Sequence, residues 1–351
     1  MAVEAVSLGT QEDAGVRSWR ALELGRIAHR IVTINTWIQP GETVAIVCDP
    51  EVSPLIVEAL ATQVYVVGGT PVVVMFPGQT VHGAELPNPV GQAIQASDVI
   101  YAVVSKSISH TVSVRQARRA GVRYIGFSNI TEDAFVHGAA TADPLVVKEI
   151  GETVRDKLLD CEDVHVTSSL GTDVRFSLKG RFLGVSDSII PREWAPGTDD
   201  HLPDNSRMFP DGEMYSCPIE ESVNGTIVVD RWIQGIGVLS EPVTWKFVDG
   251  QCVEITGGPE ADRLNALIET EGDEHSRNLG EFAVGINPNA REEGNPHREG
   301  KKILGSVHFA LGTGVVCGGR FQSTLHLDGR LRPPKIYAAG QLFFDEGRLI
   351  R

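Results

Sequence analysis

Residues 305–328 read GSVHFALGTGVVCGGRFQSTLHLD, and the two ends of this stretch decide the fold of the chain's second half. In Leu325-His326-Leu327-Asp328-Gly329, polar and apolar residues alternate. That is the period of a strand whose successive side chains point to opposite faces. His326 and Asp328 then share one face, and Leu325 and Leu327 the other. Val307-His308-Phe309-Ala310-Leu311 is a second apolar run with one histidine inside it. An imidazole beside a carboxylate on one strand face is a reasonable pair of metal ligands, and His308 can make a third. The alternative is two buried histidines satisfied by hydrogen bonds, with Asp328 capping the turn at Gly329.

Two strands upstream carry the same signature. Gly212-Glu213-Met214-Tyr215-Ser216-Cys217-Pro218 opens with a carboxylate at the mouth of a strand. Residues 278–287, NLGEFAVGIN, hold Glu281 inside an apolar run. A buried carboxylate without a partner costs several kcal/mol or takes up a proton. Glu213, Glu281 and Asp328 brought together would repel one another unless cations sit among them. One or two divalent metals remove that difficulty and lower the pKa of bound water. Pairing of Glu213 and Glu281 with Arg207, Arg277 or Arg291, all near in sequence, is the other solution.

Further outward, residues 143–160 predict a helix linking two halves of different texture. The second half is β-rich, with strands expected over 163–168, 172–178, 236–239, 243–248 and 252–256, a helix over 258–271, and residues 337–341 leading to a short tail. Residues 185–212, rich in Pro, Asp, Gly and Asn, predict a long loop of the kind that is functional or disordered. The first half alternates strand and helix. It gives a helix over 17–35, a turn at Gln39-Pro40-Gly41-Glu42, and an apolar strand at Thr43-Val44-Ala45-Ile46-Val47-Cys48 suited to a parallel sheet covered on both faces. A helix over 53–62 and strands over 64–67, 71–75, 97–104 and 122–126 follow, with residues 117–121 closing a helix. The expected fold class is therefore α/β with two domains facing across a cleft: an N-terminal open α/β domain over 1–150 and a C-terminal mixed α/β metal-binding domain over 151–351. No GxGxxG or GxxxxGK[ST] occurs, so the first domain shows no nucleotide signature. His110 follows a strand's C-terminal end, where open α/β sheets place ligands. Helix capping by Ser109 or Thr111 explains the same residues without a ligand.

Composition narrows the function classes. The chain is 42% apolar and 22% charged, with a net charge of −15. That balance argues against nucleic acid and anionic membrane surfaces as partners. No apolar run approaches the roughly 18–20 residues of a membrane helix. The first residues lack a signal-peptide layout. Five scattered cysteines, none in CxxC spacing, fit a reducing cytoplasm and exclude a cysteine-based zinc ribbon.

The chain resembles the aminopeptidase T type of metallopeptidase. The matching pieces are GTDVRFSLKGR (171–181), GEMYSCPIEESVNGT (212–226), LGEFAVGINPNAR (279–291), LGSVHFALGTG (304–314) and HLDG (326–329), with QPGETVAIVCD in the first half. The resemblance implies two divalent metals, zinc, cobalt or manganese, held by Glu213, Glu281, His308, His326 and Asp328. These are the residues that charge alone selects. One departure stands out: where that family carries a tyrosine after the HxALG histidine, this chain has Val315. Arg320 or His110 can stabilise an oxyanion in its place. The chain is also similar to 2,5-dihydroxypyridine 5,6-dioxygenase, which opens an aromatic ring at one non-haem iron. That resemblance implies Fe(II) held by His308, His326 and Asp328.

The first expectation is thus a cytoplasmic, homodimeric metallohydrolase of a small amide or peptide bond. A metal-activated water would attack, with Glu220 or Glu221 shuttling the proton, and the substrate would be a small molecule or short peptide. The alternatives are a non-haem iron ring-cleaving dioxygenase acting on a hydroxylated heteroaromatic, and a metal-free binding protein.

Overall fold

The computed structural model describes residues 11–194, 197, 202–292 and 299–350. Two compact units emerge: one runs to Ala140 and takes back Ser188–Phe209, the other comprises Thr141–Asp187 and the chain from Pro210 onward. Compactness thus assigns residues 141–150 to the second unit. No described helix is long and apolar enough to cross a membrane.

The first unit is built on a parallel sheet whose described strands lie in the order Thr70–Met75, Thr43–Cys48, Val99–Val103, Arg123–Gly126 and Ser206–Met208. The apolar run at Thr43–Cys48 forms the strand expected, and its alternate residues enter different cores. Val44, Ile46 and Cys48 belong to one apolar cluster, and Ala45 and Val47 to another. Burial on both faces is what a continuous apolar strand in a parallel sheet requires.

Two local expectations fail here. Residues 64–67 are not a strand, because the helix Pro54–Val66 runs through them. Ser53 caps it, Pro54 starts it, and Ile56, Val57, Leu60 and Val64 line its buried face, so helical spacing outweighs the β-branched run. Residues 185–212 are not one long loop. Gly184–Ser186 and Ser206–Met208 are strands, while residues 195–196 and 198–201 lie outside the described residues. Buried Asn205 fastens the second of these strands, its amide donating to the carbonyls of Arg118 and Val122 at 2.9 Å each.

The second unit holds two antiparallel sheets. One takes the order Gln251–Thr256, Val243–Val248, Asn224–Val229, Asp173–Phe176, Val164–Thr167, Lys335–Ala338, Gln341–Asp345, Arg348–Leu349. The expected tail is therefore a hairpin, turned by Ala339 and Gly340, both at positive φ, as a two-residue turn of type I′ demands. The other sheet takes the order Gly237–Val238, Trp232–Ile233, His326–Leu331, Val307–Gly312, Leu279–Gly285, Glu213–Ser216, Gly184–Ser186. The helix Pro144–Leu158 forms over the predicted linking segment, with Asp143 as its N-cap.

The two sheets of this unit share one apolar core. Phe282 packs against Phe176 with centroids 4.8 Å apart, and against Phe309 at 5.5 Å. Phe309 follows His308 on the same strand, so the packing that holds one face of the sheet also fixes the other. Phe309→Ala is expected to destabilise the protein by about 3–5 kcal/mol, read as a lowered urea midpoint with an unchanged slope.

Candidate metal centre

The antiparallel register gathers the polar residues of four strands onto one face. Glu281 lies opposite Ala310, which lies opposite Asp328; His308 lies opposite Ala283, and Glu213 opposite Gly285. Phe282, Val284, Val307, Phe309, Leu311 and Leu327 point the other way into the core. The alternation in the sequence is thus the alternation of a sheet with one apolar and one ligand-bearing face. A register irregularity between Leu279 and Glu281 turns the latter onto that face. It requires Gly280, since a Cβ there would meet the carbonyl oxygens of Gly312 and Thr313 at 2.6 and 2.5 Å.

Five predicted residues meet at this place. His308 is fully buried, and its Nε2 lies 3.4 Å from Glu281 and 3.9 Å from Glu213. His326 Nε2 lies 3.0 Å from Glu281 Oε2 and 3.1 Å from Asp328 Oδ1. Glu281, His308 and Asp328 each offer one ligand atom within 4.8 Å of the others. Among the described residues neither ring nitrogen of His308 makes a hydrogen bond, although Nε2 stands within ion-pair reach of Glu281. An imidazole buried in that state is unfavourable unless something else occupies its lone pair. His326 is oriented differently: its Nδ1 lies 2.9 Å from the Thr313 carbonyl. A carbonyl only accepts, so Nδ1 carries the proton and Nε2 is left as the ligand atom, the usual outer-sphere arrangement of a metal-binding histidine. These donors, two imidazoles with hard carboxylate oxygens, fit a divalent transition metal.

The electrostatics show what holds the site together without an ion. Burial works against the charge on His326, but hydrogen bonds to Asp328 and Glu281 push its pKa up to about 10. Burial likewise favours a protonated Glu281, yet the His308 and His326 imidazoles hold it well below the usual carboxylate range. Asp328 is also held low, against its burial, first by Lys301 and then by His326.

Sequence reasoning missed Lys301 and Lys302. Lys301 Nζ lies 2.5 Å from Asp328 Oδ2, and Lys302 Nζ 2.7 Å from Glu213 Oε2 and 2.6 Å from Asp211. The cation beside Glu213 is therefore a lysine; Arg277 donates to Asn265 and Arg291 to Glu299. Both lysines sit on the short 3-10 turn Gly300–Lys302, and nothing in its local pattern marks it. Cys317 was missed as well: burial, and then Glu281, raise its thiol pKa.

The other predicted residues lie elsewhere. Buried Glu220 accepts from Arg181 and, at 2.7 Å, from the Arg320 backbone N–H. Exposed Glu221 pairs with the Arg320 guanidinium. The three fasten the loop around Gly318, whose carbonyl accepts from Arg181 at 3.0 Å. Val315, half exposed, opens the turn Val315–Cys317. His110 belongs to the first unit. It is exposed, on the turn ahead of the helix Val112–Arg119, which Thr111 caps.

A pH dependence follows from His326. Its folded pKa lies above the ordinary histidine value, so its stabilisation of the metal-free protein is complete below about pH 6.5. It is lost as pH rises through about 10. Denaturant titrations of metal-free protein should show stability falling between these values, and His326→Ala should lack that slope. Metal binding displaces the proton, so affinity should rise by about tenfold per pH unit across the same window.

Comparison with known proteins assigns the family. The sequence model of the family described as 2,5-dihydroxypyridine 5,6-dioxygenase matches residues 32–351. A 2,5-dihydroxypyridine 5,6-dioxygenase from Pseudomonas putida is 24% identical over 267 residues, 70% of this chain and 69% of that protein. Among solved structures, the 2,5-dihydroxypyridine dioxygenase of Pseudomonas putida KT2440 superposes with a TM-score of 0.75 at 18% identity, covering 94% of this chain and 97% of that one. AmpT from Thermus thermophilus superposes at 0.64 with 15% identity, covering 94% and 99%. These findings overturn the expected metallohydrolase: the aminopeptidase likeness is one of fold, and the family match points to a dioxygenase. They support an enzyme with a metal cofactor.

Proposed function

The chain belongs to the 2,5-dihydroxypyridine 5,6-dioxygenase family, and from that premise we propose that its metal centre opens a hydroxylated heteroaromatic ring, such as a dihydroxypyridine, with dioxygen. His308, His326 and Asp328 would supply the two-histidine, one-carboxylate set of non-haem iron oxygenases, with Glu281 lying between the imidazoles. A ferrous ion bound there supplies the redox chemistry that lets dioxygen react with the ring. The observation that carries the reading is His308, fully buried, with Nδ1 making no hydrogen bond among the described residues and its Nε2 turned toward Glu281 and Glu213.

The protein's own groups then have separate tasks. Thr313 holds the His326 ring with its Nε2 toward Asp328. Lys301 keeps Asp328 ionised and aligned by binding the oxygen that faces away from His326. Glu281, within 3.4 Å of both imidazoles and held ionised by them, is a poor base but an acceptor, and can orient a substrate hydroxyl by accepting its hydrogen bond.

The test is dioxygen uptake by protein loaded with ferrous iron under anaerobic conditions and then given 2,5-dihydroxypyridine in air-saturated buffer. Uptake in step with loss of the ring's ultraviolet absorbance is the expected result. Iron-loaded protein that consumes no dioxygen with this or any other dihydroxypyridine isomer would refute the reaction.

A further inference from the structure

We propose that Lys301 and Lys302 are the residues that limit this centre to a single divalent ion. The proposal rests on the reading above that the centre carries a metal. Their ammonium groups already hold one oxygen of Asp328 and one of Glu213, oxygens that a second ion would compete for. Asp328 directs Oδ1 toward His326 at 3.1 Å and Oδ2 toward Lys301 at 2.5 Å. Glu213 has its Oε2 against Lys302 at 2.7 Å, and Asp211 balances the same ammonium at 2.6 Å. A pair of ions roughly 3.5–4 Å apart is commonly bridged by a carboxylate that gives one oxygen to each. Here the second oxygen of the aspartate belongs to a lysine.

Charge leads to the same count. Asp211, Glu213, Glu281 and Asp328 bring four negative charges, and Lys301 and Lys302 return two. With both histidines uncharged, one divalent ion makes the group neutral. A second ion would leave two uncompensated positive charges in a buried site, which is strongly unfavourable.

The turn that carries the two lysines is fastened to the neighbouring strand through its backbone. The Lys302 carbonyl accepts from the Asn287 N–H at 2.8 Å, and the Leu304 N–H donates back to the Asn287 carbonyl at 3.1 Å. Ser306 Oγ donates to the Lys301 carbonyl at 3.1 Å. Gly285 is what lets the turn approach its strand, since any Cβ there would collide with the Ile303 carbonyl.

The test is metal stoichiometry. Metal-free wild type, Lys302→Met, Lys301→Met/Lys302→Met and Lys302→Arg are dialysed against cobalt(II), and cobalt per chain is measured by elemental analysis. Wild type and Lys302→Arg should take about one ion, and the Met variants about two. Where the double variant fails to fold, Lys301→Gln and Lys302→Gln separately give the same reading. Variants that stop at about one ion, or wild type that takes about two, would overturn the role of the lysines. Wild type that takes none would overturn it together with the metal centre. Dioxygen uptake by the iron-loaded wild type is scored separately, and its failure counts against ring cleavage alone.

Discussion

Replacing His326 with alanine should leave a chain that folds, retains no iron through gel filtration, and turns over more than about a thousandfold more slowly. Losing an outer-sphere partner of a metal ligand already reduces affinity or activity by roughly 10–100-fold, and here the ligand itself is removed. His326 is also the residue that touches both Glu281 and Asp328, so its loss leaves those carboxylates without their shared imidazole. Lys301 remains on Asp328, which is why the fold should persist. Native far-ultraviolet circular dichroism with undetectable iron is the outcome that fits. Full turnover in this variant would remove His326 from the centre.

Asp328→Asn should be more damaging to stability, although the substitution changes almost no volume. Asp328 is 2% exposed and binds Lys301 and His326 at once. The amide cannot balance either cation. Breaking a buried ion pair by removing one partner costs about 3–5 kcal/mol, and the lower end is expected because Glu213 and Glu281 still act on Lys301. Metal binding should fail along with it. Urea denaturation of metal-free wild type and variant at neutral pH measures the first effect, and iron content the second. A variant as stable as wild type would mean that Lys301 finds another partner.

Much of this was legible in the sequence because strand patterns are local. The alternation in Leu325-His326-Leu327-Asp328 placed two ligands on one face, and the structure places Leu327 in the core and Asp328 against His326. The runs at Thr43–Cys48 and Val243–Val248 gave strands with those same ends. Where local signals competed, the longer one won: Val64 continues a helical stripe begun at Ile56. Lys301 and Lys302 were not legible, because they reach the carboxylates by folding of a turn and not by any periodicity.

The reaction was the least legible part. Glu213, Glu281, His308, His326 and Asp328 are compatible with more than one chemistry, and a shared fold does not choose between them. The one residue that spoke against peptide hydrolysis was Val315, where a tyrosine was expected. It lies half exposed on its turn and offers no polar atom to a reacting group. If the lysines limit the centre as proposed, the same carboxylates need not imply two metals.

Isotope labelling tests ring cleavage most directly. Iron-loaded protein is given 2,5-dihydroxypyridine under oxygen-18 gas in ordinary water, and the first ring-opened product is weighed by mass spectrometry. Both atoms of the labelled dioxygen should appear in that product. A product that carries no label, or that takes its new oxygen from labelled water in the converse experiment, would contradict a dioxygenase.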